Sequence, residues 1–343
     1  MAQVRPFRAL RYSPAAGPVE RLVAPPYDVI SAEERARYLA LDPHNVVHLT
    51  LPESEQQAAR ELSEWQADGV LERETEPVVW ALSQTHTGPD GVARTRNGLV
   101  VALRVEPYEN RVVLPHERTH AGPIEGRLRL LRATRTELEP IFLLHDGDPV
   151  EIPRREPDLA AGGDRLWRVE DDPGERFADA QLLIADGHHR YETALAFHEE
   201  DGTEASVWMM VVLVSTREEG LTIFPTHRLA QSVDGARGTP IDEPGDELPG
   251  VVLYRRGGYE LLEGDGLDVE VVDALAPQGV SYTPQRAEAI AAVDRGEAEA
   301  AFLLRPTRIE DVFTRAREGQ VLPQKTTYFY PKLTSGLLFQ PLD

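Results

Sequence analysis

The chain contains no cysteine. That excludes disulfides, thiolate nucleophiles and every cysteine-ligated metal site, and it fits a reducing compartment such as the cytoplasm. Lysine is nearly absent as well: of 36 basic residues only Lys325 and Lys332 are lysines, and the rest are arginines. Such a bias follows GC-rich coding, which replaces lysine wherever any cation serves. Both survivors lie in the segment Leu322–Lys332, a placement expected where a compact ammonium on a flexible stem must reach a single phosphate oxygen. No apolar run is long enough to cross a bilayer. The longest, Val207–Val214, reads as a buried strand. Met1–Phe7 carries no charged stretch followed by an apolar one, so no secretory leader is expected. The Walker string G-x-x-x-x-G-K-[ST] does not occur, and no G-x-G-x-x-G follows a strand, which removes support for an ordinary P-loop kinase or a Rossmann dehydrogenase. A net charge of −22 repels nucleic-acid backbones, and no basic helix offsets it. Neither nucleic acid nor membrane is expected as a partner; the acidity serves solubility.

With 343 residues there is room for two domains and ample core. The pattern predicts a mixed α/β (α+β) fold. Ser31-Ala-Glu-Glu34 spells a capping-box helix start, and Ser54 opens a helix with Ala58, Leu62 and Trp65 on one face. Residues 78–105 look β-like around a turn at Pro89-Asp90-Gly91, and Ile141–Leu144 is another apolar strand. The polar, Pro/Gly/Asp-rich stretch 145–180 reads as an insertion. Gly235–Gly250 reads as a linker, which divides the chain into a main domain (1–232), the linker (233–250) and a smaller C-terminal α/β domain (251–343).

The densest chemistry lies in Gln181–Leu195. An apolar run ends in Asp186-Gly187 and restarts as a helix carrying His188, His189 and Arg190 in its first turn. A strand that turns into a helix aims backbone N–H groups beyond the strand end, which favours anions, phosphate above all. Pro225-Thr226-His227-Arg228 closes a strand with a second His–Arg pair. It is either an exposed turn or another wall of the same pocket. Tyr27 and Asp28, between a double proline and a helix start, are held rigidly enough to line a site, though a surface turn fits them equally. His116-Glu117-Arg118-Thr119-His120 spells H-E-x-x-H, the zinc-hydrolase string. Pro115 before it and Gly122-Pro123 after it oppose the long helix that zinc binding requires. Three readings stand: zinc hydrolase, solvated loop, or a catalytic His116–Glu117 pair without zinc.

Ala24-Pro-Pro-Tyr-Asp-Val-Ile30, His116-Glu-Arg-Thr119, Asp186-Gly-His-His-Arg-Tyr-Glu-Thr193, Pro225-Thr-His-Arg228 and Lys325–Lys332, in that order, resemble the signatures of domain-of-unknown-function family 1015. Pro115-His116-Glu117, followed by a strand ending in Asp186-Gly-His-His-Arg190, is also similar to the ParB/sulfiredoxin-like fold, and within it to free-serine kinases. That resemblance implies a ParB-like core over about residues 112–230, with an N-terminal elaboration. It implies Glu117 as general base on a substrate hydroxyl, assisted by His116. Asp186, Gly187, His188, His189 and Arg190 would form the nucleotide-phosphate end, with Mg²⁺ at Asp186 and ATP or ADP as donor. His227, Arg228, Lys325 and Lys332 would add phosphate contacts, and Tyr27, Asp28 and Thr119 would line the substrate. The expected function is a cytoplasmic small-molecule kinase acting on serine or a related hydroxylated metabolite. The alternative is a non-catalytic, ParB-like nucleotide switch that signals to a protein partner.

Overall fold

A computed structural model describes residues 1–117, 121–170 and 173–343. The chain adopts the expected mixed α/β class, as two compact units. The first comprises residues 1–86, 94–221 and 331–343, and the second residues 87–93 and 222–330.

A nine-stranded mixed sheet is the centre of the first unit. From one edge its strands run Val113–Leu114, Leu182–Asp186, Ile141–His145, Trp208–Ser215, Ala93–Arg104, Val79–Thr87, Asp164–Val169 and Leu159–Ala161, with Val4–Arg5 also paired to Ala93–Arg104. Trp208–Ser215 is buried along its whole length. It lies parallel to Ile141–His145 on one side and antiparallel to Ala93–Arg104 on the other, which explains its unbroken apolar run.

Helices follow their caps. The Ser31 side chain accepts from the Glu34 N–H, and the Glu34 carboxylate accepts from the Ser31 N–H, starting the helix Ala32–Leu41. Ser54 caps Glu55–Ala67, whose Ala58, Leu62 and Trp65 enter an apolar core with Leu10, Tyr12, Val46 and Phe339. Among the described residues, no helix is long and apolar enough to cross a membrane.

The stretch 145–180 holds more structure than its composition implies. Asp164–Val169 pairs with Val79–Thr87 over six residues, and Leu159–Ala161 pairs with it in turn at the sheet edge. Edge strands tolerate polar side chains, which is why composition alone reads them as loop.

The second unit is built on a six-stranded antiparallel sheet ordered Thr239–Ile241, Gly258–Leu262, Val251–Arg255, Ala300–Leu303, His227–Ala230 and Ser281–Thr283. The helix Asp268–Ala274 covers one face and Arg286–Asp294 the other. Residues 239–241, inside the stretch expected as linker, form a strand of this sheet, and Pro331–Asp343 returns to the first unit.

Candidate active site

Three distant stretches of the first unit meet at the C-terminal end of the strand Leu182–Asp186. Gly187 follows it with φ of 101°, in the left-handed region, and the helix His188–Asp201 starts at once. A Cβ at Gly187 would lie 2.6 Å from Ile141 Cγ2, so both the turn and its packing demand glycine. The helix start directs its first-turn N–H groups to this end of the sheet.

Asp186 is buried between two cations. Arg190 Nη2 donates to Oδ2 at 2.8 Å, and Lys332 Nζ pairs with Oδ1. Burial pushes the Asp186 carboxyl up, but Lys332 and Arg190 outweigh it and hold the group below the usual carboxylate range. Arg190 is itself buried and gives its other Nη to the Pro140 carbonyl. Burial lowers its pKa and Glu139, Asp186 and Asp28 more than offset this, so it stays charged. Arg190 is therefore a buried partner of Asp186. Lys332 is brought to the site by the returning segment Pro331–Ser335, across 146 residues.

The two histidines organise backbone. His116 Nδ1–H donates to the Ile184 carbonyl at 2.7 Å, which fixes its tautomer. The His116 backbone N–H donates to His188 Nε2 at 3.2 Å, and the two rings meet edge-on at 4.8 Å. Burial lowers His116 to about 4 despite the Ile184 bond, and burial with the neighbouring His116 holds His188 well below its ordinary value. Both rings are neutral at pH 7 and pin the chain before Glu117 against the helix start. Glu117 is half-buried, with Oε1 3.9 Å from His116 Nε2. With His116 neutral, this contact is not an ion pair.

Tyr27 joins the same region. Its N–H donates to Glu139 Oε1 at 3.0 Å, the oxygen that also accepts from Ser335 Oγ at 2.6 Å, while Arg127 stacks on the Tyr27 ring at 3.9 Å. Asp28 is exposed beside it. Glu139 carries no local sequence signal, since Arg135 and Glu137 stand close beside it in the chain. The same holds for Arg96, two residues after Arg94 and 1% exposed on the strand Ala93–Arg104. Arg96 lies over the Phe142 ring at 4.3 Å, donates to Gln84 Oε1 and the Pro331 carbonyl, and leaves Nε and Nη1 without partners. Burial lowers its pKa to about 10, against the opposing charges of Asp164 and Asp186. Pro331, Lys332, Thr334 and Ser335 thus each hold a buried polar group of the first unit, at Arg96, Asp186, Asp164 and Glu139 respectively.

Of the other expected site residues, His227, Arg228 and Lys325 belong to the second unit. Along a strand, neighbours face opposite sides. His227 accordingly accepts from the Leu304 N–H at 3.1 Å, while Arg228 reaches Asp273 and the Val269 carbonyl on the other face. Arg228 is spent on a carboxylate of its own unit. Lys325 is exposed in a turn with φ of 57°. Thr119 and His120 lie outside the described residues. His116 and Glu117 precede the helix Ala121–Thr134, so His116 cannot grip a zinc ion from that helix face as the zinc string requires. Among the described residues no cluster of three or more His, Asp or Glu is placed to hold a metal. Mg²⁺ at Asp186 does not fit either: both carboxylate oxygens are committed to cations, whereas magnesium needs an anionic oxygen open to it.

The model of the family described as protein of unknown function (DUF1015) matches residues 4–241. The chain belongs to this family. The match takes in the Tyr27, Glu117, Asp186 and His227 segments and stops short of Lys325–Lys332. No curated protein matches the chain. Among solved structures it is similar to a free serine kinase in complex with AMP, at 16% identity over 66% of this chain and 89% of that one, with a TM-score of 0.39. It is also similar to SbnI with a C-terminal truncation from Staphylococcus aureus, at 13% identity over 70% and 87% of the two chains and a TM-score of 0.43. A conserved hypothetical protein from Pyrococcus furiosus gives 17% identity over 66% and 92%, with a TM-score of 0.36.

Proposed function

We propose that this family member is a nucleotide-dependent phosphotransferase acting on a small hydroxylated metabolite, free serine or a close relative. The observation that carries the reading is the junction itself: a half-buried carboxylate, Glu117, and a positioned cation, Lys332, flank a glycine-started helix N-terminus. The motif resemblance to free-serine kinases supports a nucleotide as the donor.

In the reaction, Glu117 accepts the proton of the substrate hydroxyl while that oxygen forms a bond to the terminal phosphorus of ATP or ADP. The bridging P–O bond breaks and its electron pair leaves with the nucleotide. The helix start and Lys332 neutralise the transferring group. Arg190 keeps Asp186 ionised, Asp186 keeps Lys332 in place, and His116 with His188 fixes the backbone that carries Glu117. Magnesium would accompany the nucleotide as its counter-ion and would not be held by Asp186.

The test is phosphorus NMR of the purified protein with Mg²⁺, ATP or ADP, and a panel of hydroxylated metabolites that includes serine. The expected result is a new phosphomonoester peak with one panel member, absent with Glu117→Gln. Nucleotide that binds but is not consumed across the panel would instead establish the non-catalytic switch.

A further inference from the structure

We propose that the second unit has a binding site of its own, for a small molecule with an apolar body and a carboxylate or phosphate head. A cavity of about 850 Å³ opens within this unit, a size that takes a small organic ligand. Its walls are largely apolar: Phe224, Pro225, Leu248, Pro284 and Leu304. Two fixed polar groups stand among them.

The first is His227, 3% exposed, which lines the cavity. Its Nδ1 accepts from the Leu304 N–H, so the neutral ring carries its proton on Nε2. Burial, helped by the charge of Arg286, pulls its pKa down to about 4 and keeps that tautomer at neutral pH. Among the described residues no protein acceptor takes the Nε2–H. The second is Arg286, half-buried on the same lining, at the start of the helix Arg286–Asp294. Its guanidinium is fixed by the Pro244 and Gly245 carbonyls at 2.6 Å each, and no carboxylate of the described residues pairs with it. Two carbonyls set its direction and leave its charge unbalanced. A fixed N–H donor and an uncompensated guanidinium over apolar walls recognise an acceptor-rich anionic head on an apolar body.

The remaining charges sort by depth. Arg305 is exposed and consumed by Asp268. Asp90, Asp246 and Glu247 are exposed, so the acidic groups are confined to the rim. None of these residues takes part in the proposed phosphoryl transfer, and the inference does not depend on it.

The test is calorimetric titration of the whole chain with benzoate, phenyl phosphate and benzyl alcohol, which share a ring and differ in the head. At least one anion should bind, about tenfold or more tighter than the alcohol, and whichever binds tighter names the head. Arg286→Gln should weaken that anion by about tenfold. Leu248→Trp, which takes up space in the cavity and leaves both polar residues in the sequence, should abolish binding at unchanged melting temperature. Anions that bind no better than the alcohol, or that still bind to both variants, overturn the proposal.

Discussion

The two His–Arg strings of this chain are nearly the same in composition and opposite in outcome. In Asp186-Gly187-His188-His189-Arg190 the residues open a helix after a left-handed glycine, and Arg190 curls back four residues to the aspartate before it. Charge, imidazole and backbone close on one another, with Lys332 as the last member. In Thr226-His227-Arg228 the histidine and arginine begin a strand, and alternation sends the arginine to Asp273 and the histidine to a cavity on the other face. Residue type gives a motif its chemistry, and backbone period decides which residues can share it. The first string makes a self-paired cluster, and the second splits into a structural arginine and an available histidine.

That contrast is open to direct attack, starting with the largest effect. Lys332→Met leaves the buried Asp186 with Arg190 alone, and stability should fall by about 3 kcal/mol. Asp186 has a lowered folded pKa, so its contribution is present above its ordinary value and is lost as pH falls through the folded one. The deficit of the variant should therefore shrink in acid. Denaturant melts at pH 7 and pH 3 check this, and an equal deficit at both would break the paired-cluster account.

Gly187→Ala meets both a left-handed backbone and Ile141, and should cost about 2 kcal/mol, read from the shift in denaturation midpoint. A neutral result would mean that the turn is not the hinge of the first cluster. Asp273→Ala should cost only about 1 kcal/mol, because Asp273 is half exposed and Arg228 keeps carbonyl acceptors. Binding of the preferred anion in the cavity should be unaffected, and a loss would show that the two faces are not separate.

A separate prediction concerns pH. Burial, aided by Glu139 and opposed by Arg190, raises the Glu137 carboxyl to about 8. The folded state then binds the proton more tightly than the unfolded chain between about 4.5 and 8, so stability declines as pH rises through that window and levels above it. Glu137→Gln should flatten this decline in melting temperature between pH 5 and 8; an unchanged slope would place the titrating group elsewhere.

What was legible in the chain follows the range of the interaction. Ser31 with Glu34, and Ser54 with Ala58, Leu62 and Trp65, are local and periodic, and the helices form as the spacing predicts. The strand–turn–helix at Asp186-Gly187 was legible for the same reason. The partners were not. Tyr27 meets Glu139 across 112 residues and Ser335 meets Glu139 across 196, and no local pattern announces either. The rarity of lysine singled out one segment, and only the folded chain separates Lys332 in the first unit from Lys325 in the second. The strands at 159–169 were hidden by an edge composition that resembles a loop.

The central claim is that Glu117 is a base placed beside a phosphate-binding helix start. It is tested most directly by measuring nucleotide affinity and phosphoryl transfer side by side in the parent and in Glu117→Gln. Affinity should stay within about twofold, while transfer falls by about 10²–10⁴-fold. Transfer that persists in the variant, or affinity that collapses with it, would contradict the assignment.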